Sequence, residues 1–321
     1  MRIGIVGATG LTGRTLLEIL EKAPEKMDLV YASASPASEG KKLSFQQQTL
    51  EISSTHSSVL SQPVDMVFMT CSAELSKQWA PVLREHARWV IDLSSAFRME
   101  KDIPLVVVGV NEVLLQGYEG LIANPNCSTI QLVKACHGIH QLGRITKLVV
   151  STYQSISGMG QKGLNQLQKE EEGLLFSETI PLHHNVIPWI GPATRNPLCE
   201  EEEKIIEESQ KIMSAPDMSV IPTTVRVPVP ISHGEAVYVE SEKPVSIEEI
   251  RHLWLRTPGI KLMNEVSCPV HSAHTNEVWI SRLRKPSPNS LAFWEVADNL
   301  RVGSAWNAYQ IFSLLAGRNP K

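Results

Sequence analysis

The sequence predicts an α/β fold, with a doubly wound parallel sheet in the first part of the chain and an α+β arrangement with longer strands after it. Two observations point there. Short apolar runs alternate with helical patterns up to about residue 123, and a glycine-rich loop joins the first run to the first helix. The first run is Arg2-Ile-Gly-Ile-Val6, the loop Gly7-Ala-Thr-Gly10-Leu-Thr-Gly13, and the helix follows from Leu16, Leu17, Ile19 and Leu20 at helical spacing. A second strand over 27–32 runs into a serine-rich loop, 33–38. A third over 64–69 precedes a helix near 73–86, and 89–92 supplies a fourth. Residues 104–109 and 120–123 read as further strands. Beyond Lys147 the pattern changes to longer strands over 148–154, 223–229 and 236–240, with a charged helix over 200–213 and a closing amphipathic helix from about 304 to 316. The second part reads as an antiparallel or mixed sheet covered by helices, and the boundary falls close to Cys127.

Composition narrows the function classes. A chain of 321 residues with 42% hydrophobic content has room for about two domains. A net charge of −4 without a basic block argues against a nucleic-acid partner. No run of eighteen apolar residues is present, so no membrane partner is expected, and the opening run is too short and glycine-punctuated for a signal peptide, so a cytoplasmic location is. The five cysteines are odd in number and unpatterned, which fits reduced thiols rather than a disulfide framework.

Glycines at 7, 10 and 13, between an N-terminal strand and a helix, permit a tight turn and close approach of backbone N–H groups to a pyrophosphate, the arrangement of a Rossmann-type dinucleotide domain. The second strand leads to Ser33, Ser35 and Ser38 with no acid until Glu39. Hydroxyls without a carboxylate favour a 2′-phosphate, hence NADP over NAD.

Cys127 stands in Asn124-Pro-Asn-Cys-Ser-Thr129, where a helix begins: Asn126 is a plausible cap, and Leu132, Cys136 and Ile139 recur at helical spacing. A helix N-terminus favours thiolate, so Cys127 is either a nucleophile or a small buried residue, and its position alone leaves both open. A thiol handling an acyl group needs a proton-moving partner, and an anion site if phosphate takes part. The candidates are Arg226 and His233, placed on one strand and its exit, Arg98 after a strand ending at Asp92, and Glu201 with Lys204 on one helix face. Taken singly, each also reads as a surface ion pair or a satisfied polar group. Cys268-x-x-His271-x-x-His274 offers three zinc-ligand types without an obvious fourth, so no metal is expected.

Taken jointly, the segments GATGLTG, SSAFRM, NPNCSTIQ, STYQSISGMG, HNVIP, RVPVPISHGE and DNLRVGSAWNAYQI, in that order, resemble aspartate-β-semialdehyde dehydrogenases over nearly the whole chain. The resemblance implies an NADP-binding domain over 1–126 with 300–321, a catalytic and dimerisation domain over 127–299, and a homodimer or homotetramer. The implied activity is reductive dephosphorylation of L-4-aspartyl phosphate to L-aspartate 4-semialdehyde, in lysine/diaminopimelate, threonine and methionine biosynthesis. It implies Cys127 as the nucleophile forming an acyl-thioester, Gln154 as the amide that orients substrate and His233 as the acid/base residue. Arg226 would hold the substrate α-carboxylate, Glu201 face its α-amino group, and Arg98, Asn126 and Lys204 form a phosphate site. To the cofactor contacts read above at Gly7, Gly10, Gly13, Ser33, Ser35 and Ser38, the resemblance adds Thr9, Leu11, Thr12, Ser157, Gly158 and Asn299. Leu93 departs from the family pattern as a neutral packing change, and Ser35 stands where relatives often carry an arginine for the 2′-phosphate. The alternatives are the related N-acetyl-glutamyl-phosphate reductase, whose acylated substrate would leave Glu201 no cation to meet, and a catalytically silent nucleotide-binding paralogue.

Overall fold

The computed structural model describes residues 1–55, 58–174, 180–194 and 197–317, which fall into two units, Met1–Pro125 with Ser304 onward and Asn126–Gly303. In chain order the first unit contributes β1 (Arg2–Val6), α1 (Leu11–Glu21), β2 (Asp28–Ala34), β3 (Lys42–Phe45), β4 (Gln48–Glu51), β5 (Ser53–Ser54), β6 (Val64–Met69), α2 (Ala73–His86), β7 (Ala87–Asp92) and β8 (Gly120–Ala123). Its sheet runs β5-β2-β1-β6-β7-β8, and the paired neighbours are parallel. The strand order reverses at β1, so the glycine loop leaves the carboxyl end of a switch-point strand, where open α/β sheets bind ligands.

The second unit holds α3 (Cys127–Gly143), β9 (Ile145–Gln154), α4 (Gly160–Glu171), α5 (Glu200–Ile212), β10 (Ser219–Arg226), β11 (His233–Ser241), α6 (Ile247–Arg256), β12 (Ile260–Leu262), α7 (Pro269–Ser272), β13 (Val278–Ser287) and β14 (Ser290–Ala297). Its mixed sheet runs β10-β9-β11-β14-β13-β12, with β9–β10 parallel and β11 antiparallel to both β9 and β14. The last helix, α8 (Trp306–Leu315), is counted with the first unit, and its Ala308, Ile311 and Phe312 join the same buried cluster as Ile3, Ile5, Leu16 and Phe68.

Two strand expectations fail. Residues 105–108 are buried, but 108–110 form a turn and the segment pairs with β8 only through a bridge at Leu105. Side chains serve this backbone in place of a ladder: Asn111 accepts from Val107 N–H, and Asn307 on α8 accepts from Val108 N–H and donates to the Val106 carbonyl. Asn307→Ala should therefore lower stability by about 2–4 kcal/mol, since buried backbone groups lose their partners. An unchanged urea midpoint would refute this clamp. The strand expected over 223–229 starts earlier and stops at Arg226, because Pro228 and Pro230 cannot donate to a ladder; Pro222 is tolerated inside β10 because β10 is an edge strand.

Candidate functional site

In the second unit, strand register assembles the site. Arg226 pairs with Gln154 across β10–β9, Gly234 with Tyr153 across β11–β9, and His233 with Ala297 across β11–β14. Arg226, Gln154 and His233 therefore share one row on one face of the sheet. Arg226 and His233 do not lie on one strand and its exit, as the sequence suggested; they lie on two strands that flank β9, because the prolines turn the chain out of the sheet between them.

Cys127 is the first residue of α3, and Asn126 caps that helix by accepting from Ser128 and Thr129 N–H at 2.9 and 3.3 Å. The Cys127 Sγ lies 3.3 Å from His233 Nε2. His233 Nδ1 accepts from the Ser155 backbone N–H at 3.0 Å, so in the neutral ring the proton sits on Nε2, facing the sulfur. Complete burial, reinforced by the Arg226 charge, pushes the His233 pKa down to about 3, so the ring is neutral at physiological pH. Gly303 passes so close that a Cβ there would stand 2.7 Å from Cys127 Cβ.

Asn299 holds the histidine loop. Its Oδ1 accepts from the Ser155 and Ser157 hydroxyls and from Ser232 N–H. Gly158 backs onto Arg226: a Cβ there would lie 2.8 Å from the guanidinium, which donates to the Ser155 carbonyl at 2.6 Å. Ser157, Gly158 and Asn299 thus belong to the unit of Cys127, not to that of the glycine loop.

Helix α5 brings Glu201 beneath the row. Its Oε1 accepts from Gln154 Nε2 at 3.1 Å and Asn126 Nδ2 at 2.9 Å, and its charge sustains that of Arg226 against burial. Lys204 pairs with Glu200 at 2.9 Å and lies 3.8 Å from Glu201. Glu208, two turns further along the same helix face, accepts from the Asn126 backbone N–H at 2.6 Å. Asn126 therefore has its amide and its backbone N–H engaged within the protein. Beside Arg226 opens a cavity of about 420 Å³, lined among others by Met159, Ile187 and Trp189.

Arg98 is in the first unit, on a loop built by buried Asp92, whose carboxylate accepts from Ser76 and Ser94. The Arg98 guanidinium donates to the carbonyls of Asn124 and Leu93.

The glycine loop fits a dinucleotide. Gly7 adopts φ +93°, and a Cβ at Gly13 would collide with the Gly7 carbonyl. Gly10 caps α1 without a side chain, leaving the N–H groups of Leu11, Thr12 and Gly13 to face an anion. Gly7 and Ala8 N–H donate to the Ser33 carbonyl, while the buried Ser33 hydroxyl finds no protein partner. Thr9 and Ser38 hydroxyls are 3.4 Å apart, and Ser35 is exposed.

A family model described as semialdehyde dehydrogenase, NAD binding domain, matches residues 2–117, and one described as semialdehyde dehydrogenase, dimerisation domain, matches 136–302. A curated aspartate-semialdehyde dehydrogenase of Synechocystis is 36% identical over 99% of this chain and 98% of its own. The chain belongs to the aspartate-semialdehyde dehydrogenase family. The aspartate-semialdehyde dehydrogenase of Bacillus subtilis is 35% identical over 99% and 98% of the two chains. The crystal structure of aspartate semialdehyde dehydrogenase II from Vibrio cholerae superposes with a TM-score of 0.93, at 36% identity over 98% of each chain. Within this family the first unit carries the NAD(P)-binding domain and the second the dimerisation domain, which supports self-association.

Cys268, His271 and His274 do not converge: His271 Nδ1 accepts from Cys268 N–H, His274 N–H donates to Asp298, and no group of three metal-ligand side chains occurs among the described residues. No helix among them is long and apolar enough to cross a membrane. Sequence reasoning missed Ser155, Ser128, Glu208, Glu235 and Glu295. For Glu235 a signal was present, since it is in phase with the inward-facing Val237 and Val239 of β11.

Proposed function

We propose that this chain is a phosphorylating, NADP-dependent aspartate-semialdehyde dehydrogenase that converts L-4-aspartyl phosphate to L-aspartate 4-semialdehyde through an acyl-thioester on Cys127. The observation that carries this reading is the Cys127 sulfur at a capped helix N-terminus, 3.3 Å from a histidine nitrogen that bears a proton. The Vibrio cholerae relative has also been solved complexed with ASA.

Cys127 thiolate attacks the acyl carbon, a C–S bond forms, and the C–O bond to phosphate breaks with the electron pair leaving on phosphate. A dinucleotide held by the N–H groups of Leu11, Thr12 and Gly13 would supply the hydride that takes the thioester carbonyl to the aldehyde level. The C–S bond then breaks, the aldehyde forms and the sulfur leaves as thiolate. That sequence returns Cys127 to its starting charge with no proton stored on the enzyme. His233 then serves as a fixed N–H donor to sulfur and to the nearby oxyanion rather than as a base, because Nε2 already holds a proton and burial opposes an imidazolium. Gln154 orients the substrate, Arg226 takes the α-carboxylate with its fork, and Glu201 faces the α-amino group. Arg98 and Lys204 receive the departing phosphate, and Asn126 joins them by exchanging its bond to Glu201. NADP preference is supported by the Thr9, Ser33, Ser35 and Ser38 hydroxyls, with no carboxylate before Glu39. The two-domain division at 1–126 with 300–321 and 127–299 follows the same reading. A homodimer or homotetramer is supported by the apolar Tyr153 and Ile221, exposed on the strands that carry Gln154 and Arg226.

The test is a phosphate-dependent assay with aspartate semialdehyde or N-acetylglutamate semialdehyde, each with NADP or NAD. Aspartate semialdehyde with NADP should exceed every other pair by at least about 100-fold, the scale set by unpaired polar groups at a mismatched substrate. Turnover confined to the acylated substrate, or none with either, overturns the assignment.

A further inference from the structure

Directly behind the Arg226–Gln154–His233 row lies a second one. Thr224 pairs with Thr152, Thr152 with Glu235, and Glu235 with Glu295, each two residues along its strand from the site row. Both glutamates are fully inaccessible, and the groups that can bond their carboxyls are each other and, for Glu235, the Ser128 hydroxyl. Ser128 and Cys136 of α3 face them from above, Thr152 and Ile280 flank them in the sheet, and Glu201 adds its charge from α5. Such an expensive arrangement, in the interior of a sheet otherwise packed with Val237, Val239 and Phe293, calls for a return.

The link to the site is Ser128. Gln154 Nε2 donates to the Ser128 hydroxyl at 3.0 Å and to Thr152 Oγ1 at 3.4 Å, and the Ser128 hydroxyl in turn lies against Glu235, where it favours an acceptor carboxyl oxygen. We propose that Glu235 and Glu295 are positioning residues for the reaction: Glu235 gives a proton to Glu295, its other oxygen accepts from Ser128, and Ser128 is thereby left to accept from Gln154, fixing which end of that amide meets the substrate. Burial raises both pKa values, Glu295 to about 8, and the charge and hydrogen bond of Glu295 raise Glu235 further, so the pair retains a proton, held on Glu235, at physiological pH. A protonated Glu235 has both the donor and the acceptor that this chain of bonds requires.

The inference rests on Gln154 as the amide that orients substrate, so its test includes a measurement independent of turnover. Glu235→Met should keep or raise the thermal midpoint while lowering kcat/KM by about 10- to 100-fold, the effect of misaligning one buried positioning bond. Glu235→Gln should stay within about threefold of wild type, because an amide offers the same donor and acceptor. Ser128→Ala combined with Glu235→Met should lose no more than the worse single variant. In NMR spectra, the Gln154 side-chain amide should shift and lose exchange protection in Glu235→Met but not in Glu235→Gln, whether or not the enzyme turns over aspartate semialdehyde. An unmoved Gln154 amide in Glu235→Met, or a Glu235→Gln variant as impaired as Glu235→Met, overturns the proposal. An enzyme inactive on aspartate semialdehyde whose Gln154 amide responds as expected would instead refute the assigned reaction alone.

Discussion

Cys127→Ala should reduce phosphate-dependent turnover of aspartate semialdehyde by at least about 10⁴-fold, because no other group near the site can form a thioester. Cys199 is fully buried, as is Cys136, whose thiol is pushed up further by Glu295 and Glu235; burial also raises the Cys71 thiol. The fold should be spared. The cap of α3 comes from Asn126, whose bonds to Ser128 and Thr129 do not involve the residue-127 side chain, and that residue is half-buried rather than core. Dinucleotide affinity should be unchanged as well, since the glycine loop belongs to the other unit. Cys127→Ser tests the same point from the chemical side: a hydroxyl at this position has no base to activate it, because His233 Nε2 is occupied by its own proton. Iodoacetamide should label Cys127 first, and labelling should abolish turnover. Full activity in Cys127→Ala, with the thermal midpoint intact, would sink the thioester mechanism.

How far these features could be read from the chain depended on whether the signal was local. The β1–loop–α1 unit is contiguous: Gly7 needs its positive φ, and Gly13 has no space for a Cβ, so the glycine pattern reports backbone geometry directly. The cap at Asn126 is equally local, two and three residues from the N–H groups it serves. The row of Arg226, Gln154 and His233 is not local, since it arises from the register of β10 and β11 on either side of β9. Spacing alone suggested one strand for Arg226 and His233, and the two prolines between them were the clue that the strand ends. The segment 104–109 misled in another way. Its apolar run reports burial, and nothing in it says that Asn111 and Asn307 replace a neighbouring strand, the latter from almost two hundred residues away. Glu235 and Glu295 carry the opposite lesson: an acid at an inward position of a strand breaks the alternation, and that break marked a part of the molecule shaped for function rather than stability.

His233→Gln should lower kcat/KM by about 10²- to 10³-fold, less than His233→Ala, because glutamine can place an N–H close to where Nε2–H now meets the sulfur. The wild-type pH–rate profile should show no limb near pH 6.5, since burial first, and Arg226 second, hold the His233 pKa down at about 3. The same depression sets a stability slope whose sign follows from proton counts. Between the ordinary histidine value of about 6.5 and pH 3, the unfolded chain binds a proton that the folded one refuses, so stability falls as pH falls through that window, by up to about 1.4 kcal/mol per pH unit. His233→Gln removes the group and should flatten this acid slope while leaving stability above pH 7 largely unchanged. Ser155→Ala is the control: the backbone N–H that bonds Nδ1 survives it, so the tautomer, and most of the activity, should persist. An acid limb near pH 6.5 that disappears in His233→Gln would show that the ring takes up a proton during turnover, and His233 would then act as a base rather than as a fixed donor.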